Sequence, residues 1–364
     1  MLLTKASPAV AAGNAPRRRL HWPVRPFDSP HPVRATFGEA RGLVGVGGAR
    51  GLTGGALAEF LAALNPVAVV GRRIIHHGID IKAPDGTRVF AITDGVARLG
   101  GGTGYGRWVH VGDYRYIHLA ETVREGTRVE AFRTVLGTVF PGQGHVHFSR
   151  YVDGNPVNPL SSGGMIGYAD HGKPVLGPLI ARRASGQQVP LDALSGAVAL
   201  VVRAHDVQSQ GGLHTGVYRM SYVIFDGDGR AAVGPYHLFR MDRIPVEAIG
   251  NLMFTVASTR HWTSPNFWYR VTLKSPSGDG LLRTGRMRPG RYTIRVSAAD
   301  VAGNETRRDY PVRVVGASPA RVAHEVGQEE VVDPPPIEIP DQDDELGGCG
   351  FPEEDPAPQE LPGD

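Results

Sequence analysis

A mainly β protein is what the sequence predicts, on three observations. Gly 49 and Pro 29 are high for 364 residues, helical periodicity is scarce, and short Val-, Ile- and Tyr-rich runs alternate with Gly, Pro and Asp turn signals. The length allows two domains and a tail. Composition divides the chain into a disordered basic leader (1–21), a first β domain (22–164), a second (165–316) and a disordered acidic tail (317–364).

The leader ends near Arg17-Arg18-Arg19. From Trp22 the texture changes, and a strand at 33–36 leads into Phe37-Gly38-Glu39-Ala40-Arg41. Residues 42–54 read as a Gly-rich loop and 55–64 as one short helix. Strands follow at 67–70, 79–82, 88–92, 95–99, 107–111, 114–118, 127–130, 134–139 and 145–151, and Asp85-Gly86 and Asp94-Gly95 are hairpin-type dipeptides. The run Gly100–Gly106 lacks the Lys-Ser/Thr and the helix of a phosphate loop, so it reads as a mobile β-turn.

Pro156, Pro159 and Ser161-Ser162-Gly163-Gly164 mark a boundary. Beyond it, strands at 197–203, 217–225, 252–257, 267–273, 291–298 and 310–315 have the spacing of an antiparallel sandwich. The closing run Gly290–Asp300, followed by Val301-Ala302-Gly303-Asn304, resembles bacterial immunoglobulin-like modules, which speaks to fold more than function. Trp262, Phe267, Trp268 and Tyr269 read as core rather than as an aromatic binding patch.

Charge and cysteine content narrow the chemistry. Net charge is only +3, but from Gly316 onward 14 acidic residues face one Arg, leaving 38 Lys and Arg against 22 Asp and Glu before it, or +16. A basic body suits a polyanionic surface, or simply reflects an Arg-rich composition; no nucleic-acid-binding signature accompanies it. The single Cys349 excludes an internal disulfide framework and a multi-Cys zinc site, leaving His, Asp and Glu as metal ligands. No run of about 18 apolar residues predicts a membrane-spanning helix. The first residues lack the apolar core of a signal peptide, although Ala9-Val10-Ala11 has the look of a cleavage site.

Chemistry concentrates in three short stretches. In Gly144-His145-Val146-His147-Phe148 the two imidazoles share one face of a strand. Such a pair suits two zinc ligands, or one ligand beside one proton carrier. In His76-His77-Gly78-Ile79-Asp80 the even separation of His76 and Asp80 places both on one face, with His77 turned away. Tyr116-Ile117-His118-Leu119 adds a histidine near a strand end. Two His and one carboxylate with a position open to water is a catalytic zinc arrangement. No HExxH is present. His110, His171, His205, His214 and His261 have no such company and read as ordinary histidines.

Taken together, His76-x-Gly78-x-Asp80, Tyr116-x-His118-Leu119 and His145-x-His147-Phe148 resemble the lysostaphin/LytM-type zinc metallopeptidases. Ala83-Pro84-x-Gly86-Thr87-x-Val89, Asp94-Gly95-Val96, Gly104-Tyr105-Gly106, Val123-x-x-Gly126-x-x-Val129, Gly137 and Asn158-Pro159 extend the likeness across residues 33–160, and Phe37-Gly38-Glu39-x-Arg41 is similar to its entry segment. The resemblance implies a lysostaphin-like peptidase domain with zinc on His76, Asp80 and His147, and with His118 and His145 flanking the water as base and transition-state stabiliser. It implies a zinc metalloendopeptidase acting on peptidoglycan cross-links, outside the cytoplasm. The alternatives are a wall-binding or hydrolase-activating protein on the same scaffold, and an interaction protein acting through its immunoglobulin-like module. Three features depart from the family pattern: a longer gap between Arg41 and His76, Ser149 where an acidic residue is common, and Gly142-Gln143-Gly144 where a Ser/Thr-Gly turn is usual.

Overall fold

The computed structural model describes residues 19–43, 69–70, 73–101, 105–161, 164–244, 253 and 267–316. The leader as far as residue 18, the helix expected at 55–64, Trp262, nearly all of the strand expected at 252–257 and the acidic tail lie outside them. Within them the protein is mainly β, and the helical segments Leu191–Ala193, Val271–Leu273 and Thr284–Arg286 are single 3₁₀ turns. No described helix is long and apolar enough to cross a membrane.

The first half is organised on a nine-stranded antiparallel sheet. Its main path runs Val33–Ala35, Ile79–Lys82, His145–Val152, Tyr114–Ala120, Val135–Val139 and Arg88–Phe90. The paired strands Arg98–Gly101 and Arg107–Val111 hang from Tyr114–Ala120; the turn expected over the Gly-rich run between them falls in part on residues 102–104, outside the described ones. Period-two alternation sends Ile79, Ile81, Val146, Phe148 and Tyr116 to one face, where they join Trp22, Leu119 and Leu136 in a buried cluster. Their neighbours in sequence, Asp80, His145 and His147, therefore occupy the opposite face.

The second half packs a sheet ordered Gln188–Val189, Val175–Arg182, Ala197–Val207 and His214–Thr215, joined at Ala197–Val207 by Trp268–Arg270 and Leu282–Arg283, with a four-stranded sheet ordered Ala231–Arg240, Arg219–Phe225, Gly290–Ala299 and Glu305–Val314. Phe267 and Tyr269 are core, as expected, whereas Trp268 is only half-buried. Two strands here, Val175–Arg182 and Ala231–Arg240, are absent from the sequence expectation because each contains Gly-Pro. In the first, a register shift skips Gly177-Pro178; in the second, Pro235 sits on the sheet edge, where its missing N–H breaks no ladder.

The two halves share apolar packing. Phe37, Ala40 and Ile75, from the first half, are buried in the same cluster as Leu200, Tyr222, Met241 and Ile294. Asn158 ties the halves further, its amide Nδ2 donating to the Met241 carbonyl at 2.9 Å. All described residues fall within one compact unit, Met1–Glu325.

Candidate metal centre

Asp80 and His147 are directly paired residues on adjacent antiparallel strands, so their side chains rise from the same spot on the sheet. His147 Nδ1 lies 3.0 Å from Asp80 Oδ1. His76 Nε2 reaches the same oxygen at 2.9 Å and His147 Nδ1 at 2.9 Å. The group is buried.

His76 arrives differently from the expectation. The extended chain is interrupted over residues 76–78, between Arg73–Ile75 and Ile79–Lys82, so His76 and Asp80 do not share one strand face. Backbone bonds hold His76 instead: its N–H donates to the Glu39 carbonyl and its carbonyl accepts from Gly38 N–H, both at 2.8 Å. Glu39 is anchored in turn, accepting from Thr36 N–H at 2.7 Å and Gly216 N–H at 3.0 Å. Gly78 is required by proximity, because a Cβ there would lie 2.5 Å from the Phe148 carbonyl oxygen, 2.6 Å from His147 Nε2 and 2.7 Å from Ser149 Oγ.

One neighbour fixes a tautomer and another permits one. The Thr36 carbonyl can only accept, so His76 donates its Nδ1–H there at 2.7 Å and turns a lone pair on Nε2 towards Asp80 Oδ1. His147 Nε2 lies 2.9 Å from Ser149 Oγ, a hydroxyl able to accept its proton and so to free Nδ1 as a third acceptor. In that arrangement His76 Nε2, His147 Nδ1 and Asp80 Oδ1 fit a bound cation, and their N, N, O chemistry suits zinc. Ligands of tetrahedral zinc lie roughly 3.3 Å apart, slightly wider than the spacing here. Ser149 can thus offer His147 the acceptor that a carboxylate offers a metal-bound histidine elsewhere.

His145 sits one pleat along the strand from His147, its Nε2 3.6 Å from Asp80 Oδ1 and its Nδ1 donating to the Gln143 carbonyl at 2.6 Å. Gln143 is placed by a short loop whose Gly142 and Gly144 N–H groups donate to the Asp85 carboxylate at 2.6 and 2.8 Å. Arg34 Nη1 also donates to the Gln143 carbonyl, at 2.9 Å.

His118 reaches the site only through an irregularity. Tyr116 opposes Phe148 in the core, and strict alternation would send His118 to that same face. The register instead slips between Ile117 and Leu119, and His118 takes φ 68°. Tyr116 and Leu119, three apart, both point into the core, which releases His118 to the metal face. Its ring lies 4.6 Å from that of His145, and its Nδ1 donates to the Tyr105 carbonyl at 2.8 Å.

Burial pushes His145 and His147 down to about 3, against the opposing pull of Asp80, so both are neutral near pH 7. Burial likewise holds His77 well below the ordinary imidazole value. His77 lies outside the convergent group: its ring packs 4.7 Å from that of His147, and neither ring nitrogen has a hydrogen-bond partner. His205 and His214 stack at 4.7 Å on neighbouring strands, without a third metal-ligating partner among the described residues. Sequence reasoning did not single out Thr36, Asp85, Tyr105 or Gln143 as positioning groups; Asp85-Gly86 carried a signal as a turn, and Tyr105 and Gln143 stood only within stretches compared with the family pattern.

Comparison with known proteins agrees with the motifs. Residues 74–159 match the family model described as Peptidase family M23, so the resemblance to LytM-type peptidases holds over that stretch, which is less than half of the chain. The match supports a peptidase. Among solved structures, a zinc containing peptidase from Vibrio cholerae is similar at 22% identity over 42% of this chain and 41% of its own, with a TM-score of 0.26. The chain thus spans under half the length of that protein, and a superposition at this TM-score carries no argument. No curated protein matches the chain.

Proposed function

We propose that this protein is a zinc-dependent endopeptidase that hydrolyses peptide cross-links of bacterial peptidoglycan, outside the cytoplasm. The observation that carries the reading is the convergence of His76 Nε2, Asp80 Oδ1 and His147 Nδ1 within 3.0 Å of one another, with His118 and His145 beside them. His76, Asp80 and His147 would hold the metal, which supplies Lewis acidity enough for water to attack a carbonyl near neutral pH.

The chain's own residues orient and move protons. Gln143 and Tyr105 fix the Nδ1–H groups of His145 and His118 through their carbonyls, so that on each ring Nε2 is the atom that would accept a proton. Between them, the two imidazoles take the proton from water and stabilise charge developing on the carbonyl oxygen. A separate cleft, lined in part by Arg19, Arg150 and Arg243 and by the ion-paired Arg240 and Asp242, carries a net cationic lining suited to an anionic wall.

Digestion of purified peptidoglycan with mass analysis of the products tests the proposal. Wild type should release cleaved cross-link peptides, while His147→Ala and chelated wild type should release none. Cross-links still cut after the metal is removed would show the mechanism to be wrong.

A further inference from the structure

A second buried cluster lies away from the histidines. Asp170 follows the boundary segment, Asp206 belongs to the strand Ala197–Val207, and Asp300 directly follows Gly290–Ala299. Their relative exposures are 3%, 1% and 3%, and one carboxylate oxygen of each lies within 4.8 Å of the others. Among the described residues no Lys, Arg or His forms an ion pair with any of them.

The surrounding donors satisfy only part of this charge. Asp170 Oδ1 accepts from Gly172 and Ser209 N–H, each at 2.9 Å, and Asp206 Oδ2 from Gln208 Nε2 at 2.8 Å. Asp300 Oδ1 accepts from Gly303 and Asn304 N–H at 2.6 and 2.8 Å, and Asp300 Oδ2 from Asn304 Nδ2 at 2.6 Å. Asp170 Oδ2 and Asp206 Oδ1 are buried with no hydrogen-bond partner. Orphaned anionic oxygens inside a protein are costly unless a cation or a proton meets them. Beside them is a cavity lined in part by Asp206, Gln208 and Asp300, with ≈ 10 Å³ of space for the centre of a water-sized particle.

We propose that Asp170, Asp206 and Asp300 hold a hard divalent cation, calcium in preference to magnesium or zinc. The convergent donors are carboxylate oxygens, without nitrogen or sulfur, which favours a hard ion. Calcium tolerates the irregular coordination of carboxylates fixed by three separate elements, whereas magnesium demands a near-ideal octahedron. The ion pins the start of the second half, at Asp170, to the ends of the strands that carry Asp206 and precede Asp300, and Asn304 Nδ2 already donates to the Asp170 carbonyl there at 2.8 Å. The turn Asp300-Val301-Ala302-Gly303-Asn304 thereby gains a chemical role beyond closing a hairpin.

A proton is the competing occupant. Burial, reinforced by repulsion from Asp300 and Asp170, raises Asp206 to about 8.

Calcium titration of the full chain, dialysed into calcium-free buffer that contains zinc, separates the two. Equilibrium dialysis should find one calcium per chain in wild type and none in Asp206→Asn or Asp170→Asn. Saturating calcium should raise the Tm of wild type by about 5–10 °C and leave both variants unmoved. Without calcium, Asp206→Asn should be at least as stable as wild type, because a neutral amide of the same shape replaces a buried carboxyl that must otherwise take up a proton. No calcium bound by wild type, or equal binding by wild type and both variants, would overturn the site.

Discussion

Two histidines separated by one residue take different positions in this site. His147 turns Nδ1 to Asp80 and His76, whereas His145 keeps its Nε2 3.6 Å from Asp80 and packs its ring 4.6 Å from that of His118. His147→Ala should therefore lose both zinc and turnover, while His145→Ala should keep zinc and lose about 10²- to 10⁴-fold in rate. Metal analysis beside peptide hydrolysis reads the difference; loss of zinc from both variants would collapse the division. The same burial makes a pH prediction for the zinc-free protein. The folded-state values of His145 and His147 are depressed to about 3, below the unfolded value near 6.5. The unfolded chain thus binds protons first as pH falls, and stability is lost from about pH 6.5 towards about pH 3. Each histidine contributes at most about 1.4 kcal/mol per pH unit, and the shared Asp80 makes the pair less than additive. Urea midpoints between about pH 7 and about pH 4 should fall more gently in His145→Gln than in wild type. Parallel curves would count against burial of His145 as a neutral ring.

Regular strands were legible where period two ran unbroken, and two of the proposed metal ligands were legible because Asp80 and His147 lie on such strands. What stayed hidden were departures from the period. His76 is placed by backbone bonds after its strand has ended, and His118 by a bulge that reverses the face its sequence neighbours imply. No local sequence signal distinguishes a bulged His118 from a regular one. Gly-Pro concealed Val175–Arg182 and Ala231–Arg240 for a related reason: a dipeptide that usually ends a strand is absorbed by a register shift or by an edge. The interruption at 76–78 has a measurable consequence. Gly78→Ala drives a methyl group into the Phe148 carbonyl, His147 and Ser149, and should destabilise the fold by about 1–3 kcal/mol while displacing His147. Thermal unfolding together with zinc content measures both effects. A Gly78→Ala protein with wild-type Tm and zinc would mean that the close approach is relaxed in solution.

At the scale of the molecule, composition read the chain as separable parts, and the boundary near residue 164 is marked in sequence by Pro, Ser and Gly. The apolar packing crosses it. Phe37 and Ile75 are buried at 2% and 0% among side chains of the second half. Ending the chain at residue 165 would return them to water at roughly 1.5–3 kcal/mol each, against a typical total stability of about 5–15 kcal/mol. The truncated protein should therefore be poorly folded, with weak zinc binding and little turnover on soluble peptides. Circular dichroism and metal analysis of the 1–165 fragment check this; a well-folded, active fragment would show the shared packing to be dispensable. Charge asymmetry was legible from composition alone, but this interlock was not, because hydrophobicity marks a residue as core without saying which core.

The path from Gly216 through Glu39 to His76 also bears on how such a chain can change over time. A gene rearrangement that exchanged the second half for an unrelated module would remove the backbone donor that Glu39 uses. Glu39 would be left partly unanswered in the stretch that fixes His76 through its backbone. Shuffling at the boundary is therefore not neutral for the chemistry upstream of it. Viable hybrids should be those whose incoming module carries a tight turn able to present an N–H where Gly216 now stands, and lineages should inherit the two halves together.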